Sequence, residues 1–194
     1  QRVLPTQLPA WRSPDGWLDM LQATAADFGT PVVILHESKE KDWYYVRSEV
    51  AFGWVPASHV AIGCPAEIRR IAYAENFIVA TVHKVPVYAD RNFKTFITDF
   101  YLGARITLIE NTSAGYEVTV PYRGIDGTVQ TTAGWVKPDA GVHVGYQEFT
   151  QRTILNTMFS LLYRPYGWAD ESNERDCCGT LRVVFKTFGI NMPR

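Results

Sequence analysis

The chain has 194 residues, of which 19 are basic and 20 acidic, for a formal charge of −1. That near-balance removes the usual electrostatic basis for binding nucleic acid or an anionic membrane, and 46% hydrophobic with 20% charged residues describe a folded chain rather than a disordered one. No apolar run approaches the roughly 20 residues that span a bilayer, and the length accommodates one large domain or two to three small ones.

Three cysteines, Cys64, Cys177 and Cys178, are too few for a disulfide framework. Adjacent cysteines bridge only under strain, because a disulfide wants its Cα atoms about 5.5–6 Å apart. The chain starts at Gln1 with no signal-like apolar stretch and stops at Pro193-Arg194, the pattern expected of a processed or truncated product.

Residues 1–30 open with a Pro-rich lead (Pro5, Pro9, Pro14). Trp17, Leu18, Leu21, Ala25 and Phe28 then recur at helical spacing, with Asp15 placed to cap a short helix and Gly29 to end it. From Pro31 to Gly63 the pattern is of short strands: Val32–Leu35, Trp43–Val46, and a third from near Val50 to Gly53-Trp54-Val55-Pro56. The first two are joined by the polar turn Glu37–Asp42. Elements this short cannot bury their own faces, which predicts a small closed barrel. Ile78–Val82, Arg105–Glu110, Tyr116–Val120 and Val129–Thr132 repeat the pattern, and this stretch also closes on Gly-Trp-Val, at Gly134-Trp135-Val136. Two β-rich modules ending on one tripeptide point to a duplicated small barrel, with Trp54 and Trp135 as core. Outward aromatics near Tyr44 or Phe52 are candidates for one wall of a peptide cleft.

After Gly145 the periodicity becomes helical. Ile154, Leu155, Met158, Leu161 and Leu162 share a face of a helix that must stop before Pro165. A loop over Tyr166–Arg175 leads to a second helix, in which Leu181, Val184, Phe185 and Phe188 form the apolar stripe, Asp176 is the N-cap and Gly189 the C′ residue. Cys177 in its first turn meets unpaired backbone N–H groups and the positive end of the helix dipole, which favour a thiolate and suit an oxyanion. At about 100° per residue, Cys177 falls nearer the centre of the apolar stripe than Cys178 and is expected to project from the buried side. The same spacing fits two small buried first-turn residues with no chemistry.

The segment Arg164-Pro165-Tyr166-Gly167-Trp168, then Asp176-Cys177-Cys178-Gly179 opening an amphipathic helix, resembles the start of an NlpC-type peptidase domain. These are papain-like cysteine peptidases that cut bacterial cell-wall peptides, and the upstream modules resemble the paired SH3-like domains that precede the catalytic domain in one branch of the family. The resemblance implies a fold that is mainly β and then α+β. Two SH3-like barrels, over residues 1–64 (lead and short helix included) and 65–146, would precede the N-terminal part of a peptidase domain over 147–194. It implies Cys177 as nucleophile, Asp176 as a holder of the substrate's free amino end, Tyr166 lining the cleft, and Cys178 at a substrate-contacting position where serine is usual. Ala169-Asp170 stands where the family has Gly-Gly. The implied substrate is a peptidoglycan stem peptide (a muropeptide) cut between γ-linked D-Glu and a diamino acid, in the bacterial cell envelope, with no metal or cofactor.

A cysteine peptidase needs a histidine as base and acid. His36, His59, His83 and His143 all precede Cys177 and fall in the β-rich modules, where they read as surface or barrel-edge residues. The base is therefore expected outside this chain, in a missing C-terminal part of the same domain. The alternative is a non-catalytic wall- or peptide-binding module whose cysteine helix is an inactive remnant. No Cys-x-x-Cys, His-x-x-x-His, Gly-x-Ser-x-Gly or phosphate-cradling motif is present.

Overall fold

The computed structural model describes residues 1–193. The first sheet is made of β1 (Val33–Glu37), β2 (Trp43–Arg47) and β3 (Phe52–Pro56), antiparallel in that order. A helix, α1 (Pro65–Ala72), follows. The second sheet takes β4 (Phe77–Ala80), β5 (Lys84–Tyr88), β6 (Phe96–Tyr101), β7 (Arg105–Thr112), β8 (Gly115–Arg123), β9 (Val129–Val136) and β10 (Val142–Val144) in the spatial order β10-β4-β7-β8-β9-β5-β6. The chain ends in α2 (Gln151–Phe159) and α3 (Cys177–Lys186). This is the mainly β, then α+β, arrangement that the resemblance implies.

The helix expected over Trp17–Phe28 does not form. Asp19, which would lie inside it, accepts backbone N–H groups from Ala10 (2.9 Å) and Leu21 (3.0 Å) and pairs with Arg2 at 2.8 Å. Burial pushes its carboxyl up, but those N–H groups and the Arg2 guanidinium outweigh burial and hold it below the usual carboxylate range. A short acceptor that takes the N–H of Ala10 and, locally, that of Leu21 competes directly with helical backbone pairing. The lead is therefore irregular, touching β3 through an Arg2–Trp54 bridge.

In the second sheet, Ile78 of β4, Val85 and Val87 of β5, Phe100 of β6, Ile106 of β7, Val118 and Val120 of β8 and Val136 of β9 enter one buried cluster. Strands far apart in the order share a core only if the sheet coils over itself. Both Gly-Trp-Val copies close a strand, β3 and β9. Trp135 is buried as expected, whereas Trp54 is half-buried, packed between His36 and Tyr45. The sequence pattern misses β5 because of Pro86. There β5 pairs with β6 (Pro86↔Asp99) and meets β9 only at Tyr88↔Trp135, so the proline's missing donor costs no ladder bond. It also misses α1, where Pro65 sits at a position in which a helix needs no N–H.

α2 begins on a capping box formed by Thr150 and Thr153. Its Ile154 and Met158, with Leu161 beyond it, pack on Leu102, Val183, Val184 and Phe188, while Leu155 and Leu162, expected on the same face, are exposed. The turn between β6 and β7 reaches α3 at Gly103, where φ is +80° and an added Cβ would lie 2.5 Å from the Val183 carbonyl oxygen. Only glycine meets both demands. Gly103→Ala is expected to lower stability in urea unfolding by about 2 kcal/mol, from left-handed strain plus a backbone clash; an unchanged midpoint would contradict the packing of this turn on α3.

Candidate functional site at the start of α3

Asp176 caps α3, its Oδ1 accepting the Gly179 N–H at 2.7 Å. At the other end Gly189, with φ +77°, follows the last turn, and the Ile190 N–H returns to the Phe185 carbonyl at 3.2 Å. Both caps are where the sequence puts them. The face is not. Cys177 and Cys178 are exposed, with their sulfurs 3.9 Å apart, and Leu181 is exposed too, while Gly179, Arg182, Val183 and Val184 are buried. The expectation that Cys177 projects from the buried side is thus corrected. Arg182 reads as polar in the pattern, yet it is drawn inward by a buried carboxylate, and this turns the apolar stripe away from Cys177.

That carboxylate is Asp170, fully buried, whose Oδ2 accepts from Arg182 Nη2 and from Thr24 Oγ1, each at 3.1 Å. Its Oδ1 would lie 2.0 Å from a Cβ on Gly179, so the first turn of α3 rests directly on Asp170. The approach is made by a kinked loop in which Ala169, Asp170, Ser172 and Asn173 all have positive φ. A conformation this costly persists when its surroundings over-determine it. Here the lead does so: Trp168 Nε1 donates to the Asp19 carbonyl (2.9 Å), Gln22 Nε2 to the Ala169 carbonyl (3.4 Å), and Arg175 Nη2 to Asp27 Oδ1 (2.7 Å) in a second buried ion pair. Lys186 at the far end of α3 pairs with Glu49, between β2 and β3.

Tyr166 is half-exposed, its ring edge-on to Trp17 of the lead at 6.1 Å, and it bridges backbone to Arg175. Beside it lies a cavity of about 150 Å³ lined by His83, Leu161, Arg164, Tyr166, Glu174 and Thr180, among others. Glu174 receives Arg164 and stands 3.7 Å from His83 Nε2. Burial pushes His83 below the ordinary histidine value; Glu174 pulls the other way, and Arg164, Arg175 and Lys84 reinforce the depression. His83 is therefore a neutral, semi-buried residue at the approach to α3 rather than a barrel-edge histidine. His36 stacks on Trp54, His143 Nδ1 meets the Gly145 carbonyl and His59 ends a 3-10 turn. Sequence reasoning brings together Tyr166, Asp176, Cys177 and Cys178. It misses Trp17, Thr24, Asp27, His83, Asp170 and Arg182, and a signal existed only for Asp170, at the departure from Gly-Gly. Among the described residues no cluster of three or more His, Cys, Asp or Glu is placed to hold a metal ion, and no helix is long and apolar enough to cross a membrane.

Breaking a buried ion pair by removing one partner strands the other charge. Asp170→Asn and Arg182→Met are each expected to cost about 3–5 kcal/mol in urea unfolding, and the double variant less than their sum; additive losses would show that the two side chains do not act on each other. His83 gives a pH signature. Its folded value lies below the unfolded 6.5, so its contribution is complete above that value and is lost as pH falls through and below it. Wild type should therefore lose more stability than His83→Gln between about pH 7 and pH 5, as read from denaturation midpoints; parallel curves would remove His83 from the account.

A family model for the SH3 domain (SH3b1 type) matches residues 9–56, which take in the lead from residue 9 onward and all three strands of the first sheet. No curated protein matches the chain. Among solved structures, an NlpC/P60 endopeptidase from Photobacterium damselae subsp. piscicida superposes with a TM-score of 0.81 at 23% identity, over 100% of this chain and 42% of that one. An NlpC/P60 family protein from Bacillus cereus ATCC 10987 gives 0.67 at 21% identity, over 88% of this chain and 56% of that one. The chain thus spans about half the length of the structures it resembles, and over that span its fold is the one found in these NlpC/P60 proteins, with an SH3b1-type domain at its start.

Proposed function

We propose that the chain is the substrate-grasping and nucleophile-bearing portion of a cell-wall cysteine endopeptidase of the bacterial envelope, acting on muropeptides at the bond between γ-D-glutamate and a diamino acid. The observation that carries this reading is an exposed cysteine, Cys177, as the first residue of a helix that Asp176 caps and whose first turn rests on Asp170, in a fold shared with NlpC/P60 proteins. The domain limits 1–64, 65–146 and 147–194 belong to the same proposal.

In this reading Cys177 Sγ attacks the γ-glutamyl carbonyl, and the oxyanion is taken by N–H groups of the first turn. Asp176 already occupies the Gly179 N–H, so the donors are those that precede it. The tetrahedral intermediate collapses, the diamino acid leaves with a proton, and water releases the acyl-enzyme. None of the four histidines has a contact that ties it to Cys177: His83 faces Glu174 and His36 faces Trp54. We therefore place the base outside these 194 residues. Trp17 and Tyr166 form the apolar wall at the approach. Asp176 and Cys178 flank Cys177, the carboxylate acting on the peptide's ammonium through its charge.

Incubating the chain with L-Ala-γ-D-Glu-diaminopimelate and following products by mass spectrometry tests the reading, with imidazole added as an external base. Cleavage that rises with imidazole, falls by about 10³-fold or more in Cys177→Ala and survives in Cys178→Ser is the expected outcome. Peptide that binds Cys177→Ala and wild type equally, with no cleavage under any condition, would instead favour a binding module.

A further inference from the structure

We infer that Cys177 and Cys178 form a peroxide-reactive dithiol, in which Cys178 is the resolving thiol that converts an oxidised Cys177 into a reversible disulfide. The inference rests on the reading of Cys177 as nucleophile for its biological use but not for its chemistry. Three observations carry it. Both thiols are exposed, so a small oxidant reaches them. Their sulfurs stand 3.9 Å apart, already in contact. Both lie in the first turn of α3, where backbone N–H groups have no intrahelical partner. When the Cys177–Cys178 peptide reorients, its N–H therefore gives up no helical bond, and its carbonyl gives up the one that it accepts from the next turn.

The chemistry closes without another reactant. The Cys177 thiolate attacks hydrogen peroxide; an S–O bond forms, the O–O bond breaks and hydroxide leaves, taking up a proton as water. The Cys178 thiolate then attacks the sulfenic sulfur; the S–S bond forms, the S–O bond breaks and a second water leaves. Two thiols lose two hydrogens and one peroxide becomes two waters. Neighbouring Cα atoms across a trans peptide are about 3.8 Å apart, below the usual disulfide range of about 4.4–6.8 Å, so the bridge must loosen the turn. A strained bridge is readily reduced, and the device shields the nucleophile from irreversible oxidation while closing the site.

The test treats the whole chain with hydrogen peroxide, with and without dimedone, and maps tryptic peptides by mass spectrometry. Cleavage after Arg175 and Arg182 leaves both cysteines on one peptide. Wild type should give that peptide lighter by two hydrogens, restored by dithiothreitol. Cys178→Ser should show no hydrogen loss, about tenfold more dimedone on Cys177, and sulfinic acid when dimedone is omitted. Equal dimedone capture in the two proteins, or a bridge to Cys64, would overturn the inference. The readout needs no peptide cleavage, so a dithiol that cycles in a chain unable to cut muropeptides would defeat the peptidase reading alone.

Discussion

Two buried ion pairs, Arg182–Asp170 and Arg175–Asp27, tie the entry of α3 to the rest of the molecule. Each involves a charge that could not remain in the interior unpaired, so each is strongly destabilised by loss of its partner. Their value lies in position. Asp27 and Thr24, which steadies Asp170, come from the lead, while Arg175 and Arg182 bracket Cys177 and Cys178. The segment that carries the exposed thiols is thereby fixed by a stretch of chain some 150 residues earlier in the sequence. With the Trp168–Asp19 and Gln22–Ala169 hydrogen bonds, those pairs hold the positive-φ loop before α3 in shape.

α3 is correspondingly a junction. Leu102 and Gly103 of the second sheet press on Val183, α2 supplies Ile154 and Met158, and Glu49 of the first sheet meets Lys186. Every module contributes to these contacts, so the geometry at Cys177 is a property of the whole assembly. The same arrangement brings Trp17 of the lead against Tyr166 and His83 of the second sheet against Glu174, which gives the site walls from three parts of the chain. Preorganisation of this kind is what nucleophilic catalysis at a helix start requires.

Much of this was legible in the residues. Strand segments around Val33, Trp43 and Trp54, the alternation of β7 to β9 and the caps of α3 follow from local chemistry: β-branched and aromatic runs, glycine punctuation, and an aspartate before a helix. What escaped the pattern did so where a tertiary partner overrode a local preference. Asp19 broke a helix by taking the N–H of Ala10 and that of Leu21 and pairing with Arg2, and Arg182 was buried because Asp170 waits for it. Cys177 emerged on the open side as a consequence. Periodicity sees hydrophobicity and is blind to a buried charge pair, so the face of α3 was the feature it could least predict.

The claim that the lead holds the start of α3 is tested most directly by hydrogen–deuterium exchange on wild type and on a Thr24→Val, Asp27→Asn variant, neither substitution lying in α3. Peptides covering 168–182 are expected to lose protection in the variant while those from β7 to β9 keep theirs. Undiminished protection across 168–182 would show that α3 is held without the lead, and the composite site would fall with it.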